Sequence, residues 1–248
     1  MIFLLALFFV GIVAGIQNAL AGGGSFLILP ALIWGGTSAV AANITSTVAL
    51  WPGQIATGYG GRKLASGMSG LGLFTLCLIS LLGGLCGAVL LLITPGAVFA
   101  KLLPILVLAA TGIFVWGNFF RKMPAPGQAP PAMPHWAAIL MQFAIAIYGG
   151  YFGGGIGILM LAAFTMAGQE VKIAAATKNV LNAVLNTTAV AIFLFSPHLQ
   201  REAAVFVGAG SLIGGQIGTR LLAKIPDQPL RIGIIVVGVI LSLALWLK

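Results

Sequence analysis

The sequence contains almost no acidic residues. Of its 248 residues three are Asp or Glu and twelve are Lys or Arg, and charged residues make up 6% of the chain. The three acids, Glu170, Glu202 and Asp227, all lie in short polar connections between apolar stretches. We therefore expect no carboxylate at mid-membrane depth, where such groups bind Na⁺ or relay protons. This scarcity argues against a cation pump.

Other common features are also missing. Only two cysteines occur, Cys77 and Cys86, nine positions apart on one predicted helix. They lie about 13 Å apart along the helix axis, too far for a disulfide. The sequence has no P-loop for ATP, so transport would be driven by gradients or by the membrane potential. The apolar N-terminus has no preceding basic region, which indicates a retained membrane helix instead of a signal peptide.

Apolar residues fill the chain instead. They make up 60% of it, and the mean hydropathy is +1.14, a value that soluble domains do not approach. We therefore predict an all-α polytopic membrane protein. After the N-terminal run from Ile2 to Trp34, further candidate spans lie at residues 45–59, 70–93, 102–120, 136–152, 174–195, 203–222 and 232–247. The formal charge of +9 is attributed to cytoplasmic loops and not to nucleic-acid binding.

Two glycine triplets interrupt the apolar runs. The first is Gly22 Gly23 Gly24, followed by Ser25. Three glycines cost a helix about 1 kcal/mol each relative to alanine, so the helix should break there. Backbone groups freed inside a membrane need partners, and a helix that restarts at Ser25 directs N–H groups toward an anion. The same feature returns at residues 153–155.

The triplets belong to an internal repeat. The segment SLLGGLCG at residues 80–87 matches SLIGGQIG at residues 211–218, a shift of 131 residues that the triplets share. Pro95 and Pro226 follow the same shift, and Thr45 and Thr177 follow it with one inserted residue. We predict a first repeat at residues 1–120, a polar Pro-rich linker at 121–134 and a second repeat at 135–248, all within one integral membrane domain.

The basic residues favour inverted repeats. With Lys178 set aside as lying inside a helix, a chain that turns back at each triplet places eight basic residues on one face and three on the other. A chain that runs straight through gives six against five. The positive-inside rule favours the first arrangement. Each repeat would then be a glycine-tipped broken or re-entrant helical hairpin followed by three transmembrane helices, with both termini outside the cytoplasm.

Inverted halves with matched broken helices indicate a transporter site between the repeats, near the bilayer midplane. The helix after each triplet carries a polar face, and Lys178 can supply the charge that an anion needs in a low-dielectric site. The predicted substrate-binding residues are Gly22, Gly23, Gly24, Ser25, Asn43, Ser46, Thr47, Gly153, Gly154, Gly155, Thr177, Lys178, Asn179 and Asn182.

Structural interpretations compete with these assignments. Glycines also allow helices to pack closely, as expected for Gly83 with Gly87 and for Gly214 with Gly218 at GxxxG spacing. Polar side chains in membranes often only join helices. Lys178 lies two turns into its helix and could snorkel to the membrane interface.

The motifs together resemble those of the TauE/SafE family of sulfite exporters and related anion permeases. The resemblance rests on the first glycine triplet with Leu29 Pro30, on residues 43–47, on the second triplet, and on Ala176 Thr177 Lys178 Asn179. It implies transport of sulfite, thiosulfate or organosulfonates such as sulfoacetate in the bacterial inner membrane, without a cofactor or metal. The first half has Ser46 where the second has Lys178, so such a site would be asymmetric.

Two alternatives remain open. Residues 67–70 read GMSG, a GxSG pattern like that of rhomboid proteases, so an intramembrane hydrolase could use Ser69 if a histidine lay beside it. Only His135 and His198 exist, both beside prolines in connections, and we expect no enzyme activity. An anion channel is not distinguished from an alternating-access carrier by the sequence.

Overall fold

The structure, a computed structural model, describes residues 1–20, 22–115 and 133–221. The regular elements within these ranges are α-helices: α1 (Ile2–Leu20), α2 (Ser25–Trp34), α3 (Ala39–Gly61), α4 (Leu73–Ile93), α5 (Gly96–Val115), α6 (His135–Tyr151), α7 (Ile156–Met166), α8 (Val171–Phe193) and α9 (Arg201–Leu221). The all-α prediction is confirmed. Most of the predicted linker and the candidate span at 232–247 lie outside the described residues, so the proposed repeat boundaries stay predictions.

Both glycine triplets lie where a helix stops and a short one begins. Helix α1 ends at Leu20 and α2 begins at Ser25, while α6 ends at Tyr151 and α7 begins at Ile156. Helices α2 and α7 have 10 and 11 residues, and about 15 to 17 Å of helix cannot cross a bilayer. Each short helix packs on the helix before it and on the one after it.

Helix lengths repeat along the chain. Helices α3 and α8 both have 23 residues, and α4 and α9 both have 21. Three of the described helices, Ile2–Leu20, Leu73–Ile93 and the Gly96–Ile113 part of α5, are long and apolar enough to cross a membrane by length and composition. The chain thus combines long apolar helices with two short buried ones.

The GxxxG glycines bring helices of the two halves into backbone contact. A methyl group at Gly83 would lie 2.5 Å from the Ala146 side chain of α6, and one at Gly218 would lie 2.8 Å from the Ile16 oxygen of α1. Helix α4 therefore packs on α6, and α9 packs on α1. The close-packing interpretation of Gly83, Gly87, Gly214 and Gly218 is confirmed, because side chains there would overlap their neighbours.

Helices α3 and α8 cross at the centre of the molecule. Asn186 Nδ2 donates a hydrogen bond to Gln54 Oε1 at 2.8 Å, and Trp51 Nε1 donates to Thr187 Oγ1 at 3.1 Å. Gly61, further along α3, lies against Ala176, which is earlier in α8. Residue numbers therefore rise along one helix as they fall along the other, so α3 and α8 run in opposite directions.

Candidate functional site

The first glycine segment touches the start of α7, just after the second glycine segment, through the backbone. A Cβ atom at Gly22 would lie 2.6 Å from Gly157 Cα, and one at Gly157 would lie 2.8 Å from Gly22 Cα. Gly22 has φ of +85° and Gly153 has φ of +72°, a region that side chains disfavour. Glycine is thus required both by the conformation of the turn and by the closeness of the two segments.

A side chain of the preceding helix holds the middle glycine of each segment. Gln17 Nε2 donates to Gly23 O at 3.4 Å, and Tyr148 Oη donates to Gly154 O at 2.9 Å. These two pairs are related by the 131-residue shift. The sequence analysis missed both donors, because glutamine and tyrosine share no obvious pattern even though their positions match.

The short helices begin without side-chain caps. The N-cap residues of α2 and α7 are Gly24 and Gly155, and neither helix has a side-chain hydrogen bond at its N-cap. The first N–H groups of a helix have no partner within the helix itself. Ser25, the first residue of α2, is buried. Both helices therefore present a positive dipole end inside the protein.

Lys178 is completely buried, with 0% of its side chain exposed. Its ammonium donates to the Asn18 carbonyl oxygen at 3.1 Å, in the last turn of α1, where the helix dipole is negative. This is the one hydrogen bond of the ammonium to the residues that the structure describes. The side chain does not reach the surface, so the snorkelling interpretation is wrong.

Two further polar residues of the predicted set cap the long helices before the glycine segments. Asn179 Nδ2 donates to Ala19 O at 3.5 Å, and Asn43 Nδ2 donates to Tyr151 O at 3.0 Å. Side chains of α8 thus cap α1, and a side chain of α3 caps α6. Helices α3 and α8 therefore each contact the broken hairpin of the opposite half.

Thr177 is bound to a loop and not to the glycine segments. Its Oγ1 accepts the Ser66 N–H at 3.0 Å and lies 3.4 Å from Ser66 O. The matched residue Thr45 accepts the Gln200 N–H at 3.1 Å, in the loop between α8 and α9. The α3–α4 loop therefore covers the start of α8, and the α8–α9 loop covers the start of α3.

Some buried polar atoms are without a hydrogen-bond partner among the described residues. They include both side-chain polar atoms of Asn182, Ser46 Oγ and Asn43 Oδ1. Asn182 Nδ2 lies 3.0 Å from the point that a Cβ of Gly157 would occupy, beside the contact between the glycine segments. Buried polar groups are normally paired, so these atoms mark places where a ligand or water can bind.

Other features lie apart from this region. A cavity of about 600 Å³ lies between α3, α8 and α9, and none of the predicted site residues lines it. Gly70 lies directly against the His135 ring, and Ser69 has φ of +50°. No hydrogen bond joins Ser69 to His135, although both residues are described, so the structure offers no support for a serine nucleophile.

The sequence of the chain matches a protein family and several known proteins. Residues 7–245 match the family described as "Sulfite exporter TauE/SafE". The chain is similar to "Probable membrane transporter protein YfcA" of Escherichia coli strain K12, with 28% identity over 241 residues, covering 95% of this chain and 87% of that protein. A "Probable membrane transporter protein" of Haemophilus influenzae is 29% identical over 218 residues, covering 87% of this chain and 84% of its own length. No solved structure matches the chain.

Proposed function

The chain belongs to the sulfite exporter TauE/SafE family, and from this premise we propose that it exports small sulfur oxyanions across the bacterial inner membrane. Sulfite, thiosulfate and organosulfonates are the substrates that we propose. Relatives named as membrane transporters in two organisms support the general class. The family is one of membrane transporters, and a hydrolase is not proposed.

The observation that carries the proposal is the buried ammonium of Lys178. A buried cation is costly unless it is paired and hydrogen-bonded. Lys178 Nζ has three N–H donors and one acceptor, Asn18 O, among the described residues. Neither of the described acids, Glu170 and Glu202, forms an ion pair with it, and both are exposed. A bound oxyanion would supply the missing charge and the missing acceptors.

Neutral donors near the glycine contact complete the proposed anion site. Asn182 has an amide nitrogen without a partner in the described ranges, and it lies beside Gly22 and Gly157. The uncapped starts of α2 and α7, after Gly24 and Gly155, direct N–H groups and positive dipole ends inward. These groups can replace the water around an oxyanion. Thr177 and Asn179 already have protein partners. We therefore assign them to positioning the site and not to contact with the anion.

We further propose that the two halves form an inverted repeat. The opposite directions of α3 and α8 support this arrangement, because matched helices of parallel repeats would run in the same direction. The exchanged contacts, α4 with α6 and α9 with α1, are those that a two-fold relation between the halves produces. The short helices α2 and α7 then turn back within the membrane as re-entrant arms.

The two loop contacts support alternating access. In the inverted arrangement the α3–α4 and α8–α9 loops lie on opposite faces of the membrane. The bond from Ser66 to Thr177 would then close one face and the bond from Gln200 to Thr45 the other. Breaking one bond at a time would expose the anion to each side in turn. An inside-negative potential of 100 mV favours anion exit by about 2.3 kcal/mol per charge, which favours export.

The function is tested by flux in proteoliposomes, with sulfite, thiosulfate, sulfoacetate, sulfate and chloride offered in turn. We expect saturable flux and exchange of one sulfur anion, which Lys178→Ala abolishes. Lys172→Ala is the matched control, because Lys172 lies on the same helix and is exposed. Flux that does not saturate would indicate a channel. Flux that Lys178→Ala leaves unchanged would refute the proposed site.

The inverted repeat is tested by cysteine labelling. Lys63→Cys and His198→Cys place exposed reporters in the α3–α4 and α8–α9 loops, in a chain whose own cysteines are replaced. A membrane-impermeant thiol reagent should label position 63 from the cytoplasm and position 198 from outside. Labelling of both from the same side would contradict the inverted arrangement.

A further inference from the structure

One difference between the ends of α1 and α6 is a lysine side chain. At the end of α1, the Lys178 ammonium binds the Asn18 carbonyl. Ser46 matches Lys178 in the first half, so the corresponding place at the end of α6 has no ammonium. Both helix ends carry the negative end of a dipole. The second end therefore has the same field as the first without the cation that neutralises it.

Oxygen atoms collect at this second end. Asn43 Oδ1 and Ser46 Oγ are buried without partners among the described residues, and the two residues are 1% and 0% exposed. They lie three positions apart on α3, and therefore on the same face. A Cβ at Gly153 would lie 3.3 Å from Thr47 Oγ1 and 3.5 Å from Gly149 O. These oxygens come from α3 and from the last turn of α6.

Two of the hydrogen-bond donors of these side chains are engaged by the protein, while the Ser46 hydroxyl has no partner among the described residues and can turn its proton away from a cation. Asn43 Nδ2 donates to Tyr151 O, and the Thr47 hydroxyl donates to Asn43 O. Acceptors that remain free are Asn43 Oδ1, the lone pairs of Thr47 and those of the Ser46 hydroxyl. Acceptors repel an oxyanion but are the ligands that hard cations prefer.

The turn at Gly153 is less closely packed than the turn at Gly22. Gly22 is buried, and Gly157 occupies the position that its Cβ would take. The matched Gly153 is partly exposed. Only Thr47 Oγ1 and Gly149 O, beyond its chain neighbours, lie within 4 Å of its would-be Cβ among the described residues. Both of these atoms are oxygens.

We propose that this place is a binding site for a monovalent cation of the size of Na⁺, and that its occupation strengthens binding of the anion. Carbonyl groups at half-helix ends commonly coordinate Na⁺ in transporters. The ligands are neutral, which favours a monovalent cation over a divalent one that selects carboxylates. The cation would stand where the other half has the Lys178 ammonium, so that positive charge lies on both sides of the anion. Only this effect on affinity rests on the proposed function.

Cation binding is tested on the purified protein without any sulfur anion, so that it can succeed or fail independently of the transport proposal. The melting temperature is followed as sodium gluconate replaces choline gluconate at constant ionic strength. We expect a saturable rise of a few degrees with Na⁺. Ser46→Ala should weaken the apparent Na⁺ affinity about tenfold, while Ser211→Ala, at a buried serine of α9, should retain it. Thr47→Val is the second variant if Ser46→Ala does not fold.

Equal melting curves in Na⁺ and choline would overturn the proposal. So would a Na⁺ titration that neither Ser46→Ala nor Thr47→Val changes. Ser46→Lys is the complementary test, because it places an ammonium where the cation would stand. In Ser46→Lys the melting temperature should no longer rise with Na⁺. A response that persists unchanged in Ser46→Lys would place the ion elsewhere and contradict the assignment.

Discussion

The carbonyl of Asn18 at the end of α1 accepts a hydrogen bond from Lys178 Nζ, whereas the carbonyl of Tyr151 at the end of α6 accepts one from the amide of Asn43. The two hairpins share a broken helix, a glycine turn and a side chain that holds the middle glycine. They differ in charge and in the space beside the turn. We propose on this basis that the two hairpins form two different binding sites.

The difference in charge is assigned to one matched position. Lys178 and Ser46 lie at equivalent places on α8 and α3, and both are fully buried. A lysine reaches the helix end and neutralises it, while a serine is too short to do so. In the proposed account one hairpin binds an anion beside Lys178, and the other offers oxygens without a fixed charge.

Removing the fixed charge should have the largest effect. In Lys178→Met both hairpin ends become neutral, and we expect anion flux to fall about 100-fold or more, since losing one partner of a buried charge pair costs about 3–5 kcal/mol. The protein should remain folded, because methionine fills a similar volume without an unpaired charge. Initial rates of labelled sulfite uptake, compared with Lys172→Met, provide the measurement. Equal rates in the two variants would remove the distinction between the hairpins.

Replacement of glycine by alanine should lower the stability of the protein more at Gly22 than at Gly153. Gly22→Ala places Cβ 2.6 Å from Gly157 Cα, whereas Gly153→Ala places it 3.3 Å from Thr47 Oγ1. Both variants carry the cost of positive φ, about 1–2 kcal/mol. Gly22→Ala also overpacks the contact between the segments, at about 1–3 kcal/mol more. We expect the lower melting temperature for Gly22→Ala, and the reverse order would contradict the described contact.

Loss of either loop contact should shift the conformational equilibrium by the same amount, but toward opposite faces of the membrane. Thr177→Val removes the acceptor of the Ser66 N–H, and Thr45→Val removes that of the Gln200 N–H. A hydrogen bond of about 1 kcal/mol corresponds to roughly a fivefold shift between states. A cysteine at Ser25 should be labelled faster from the α3–α4 loop side in the first variant and from the α8–α9 loop side in the second. Shifts toward the same side would argue against paired gates.

Much of the architecture was predictable because glycine acts locally. The triplets predicted helix breaks at residues 22–24 and 153–155, and the structure has them. The GxxxG spacing predicted close packing at Gly83 and Gly214, which is confirmed. These features depend on the residue itself and on its nearest neighbours, so a sequence pattern is enough to find them.

The hydrogen-bond partners of the polar side chains were not predictable in the same way. Thr177 was predicted to lie in the anion site, and in the structure its Oγ1 accepts a hydrogen bond from the Ser66 N–H, 111 residues away in a loop. Asn43 and Thr47 were predicted to bind the substrate, and in the structure one Asn43 N–H and the Thr47 hydroxyl donate to backbone carbonyls. Which atom of a side chain remains free depends on tertiary contacts, and no periodicity in the sequence reports it.

The most direct test of the account is equilibrium binding of labelled sulfite, with thiosulfate and sulfoacetate as competitors, to the purified protein, its Lys178→Met variant and its Lys172→Met control. Binding does not depend on loop movement, so it reports the site alone. The account predicts saturable binding by wild type and Lys172→Met, and a loss of about 100-fold or more in affinity for Lys178→Met. Equal affinity in all three proteins would contradict the claim that the buried ammonium binds the anion.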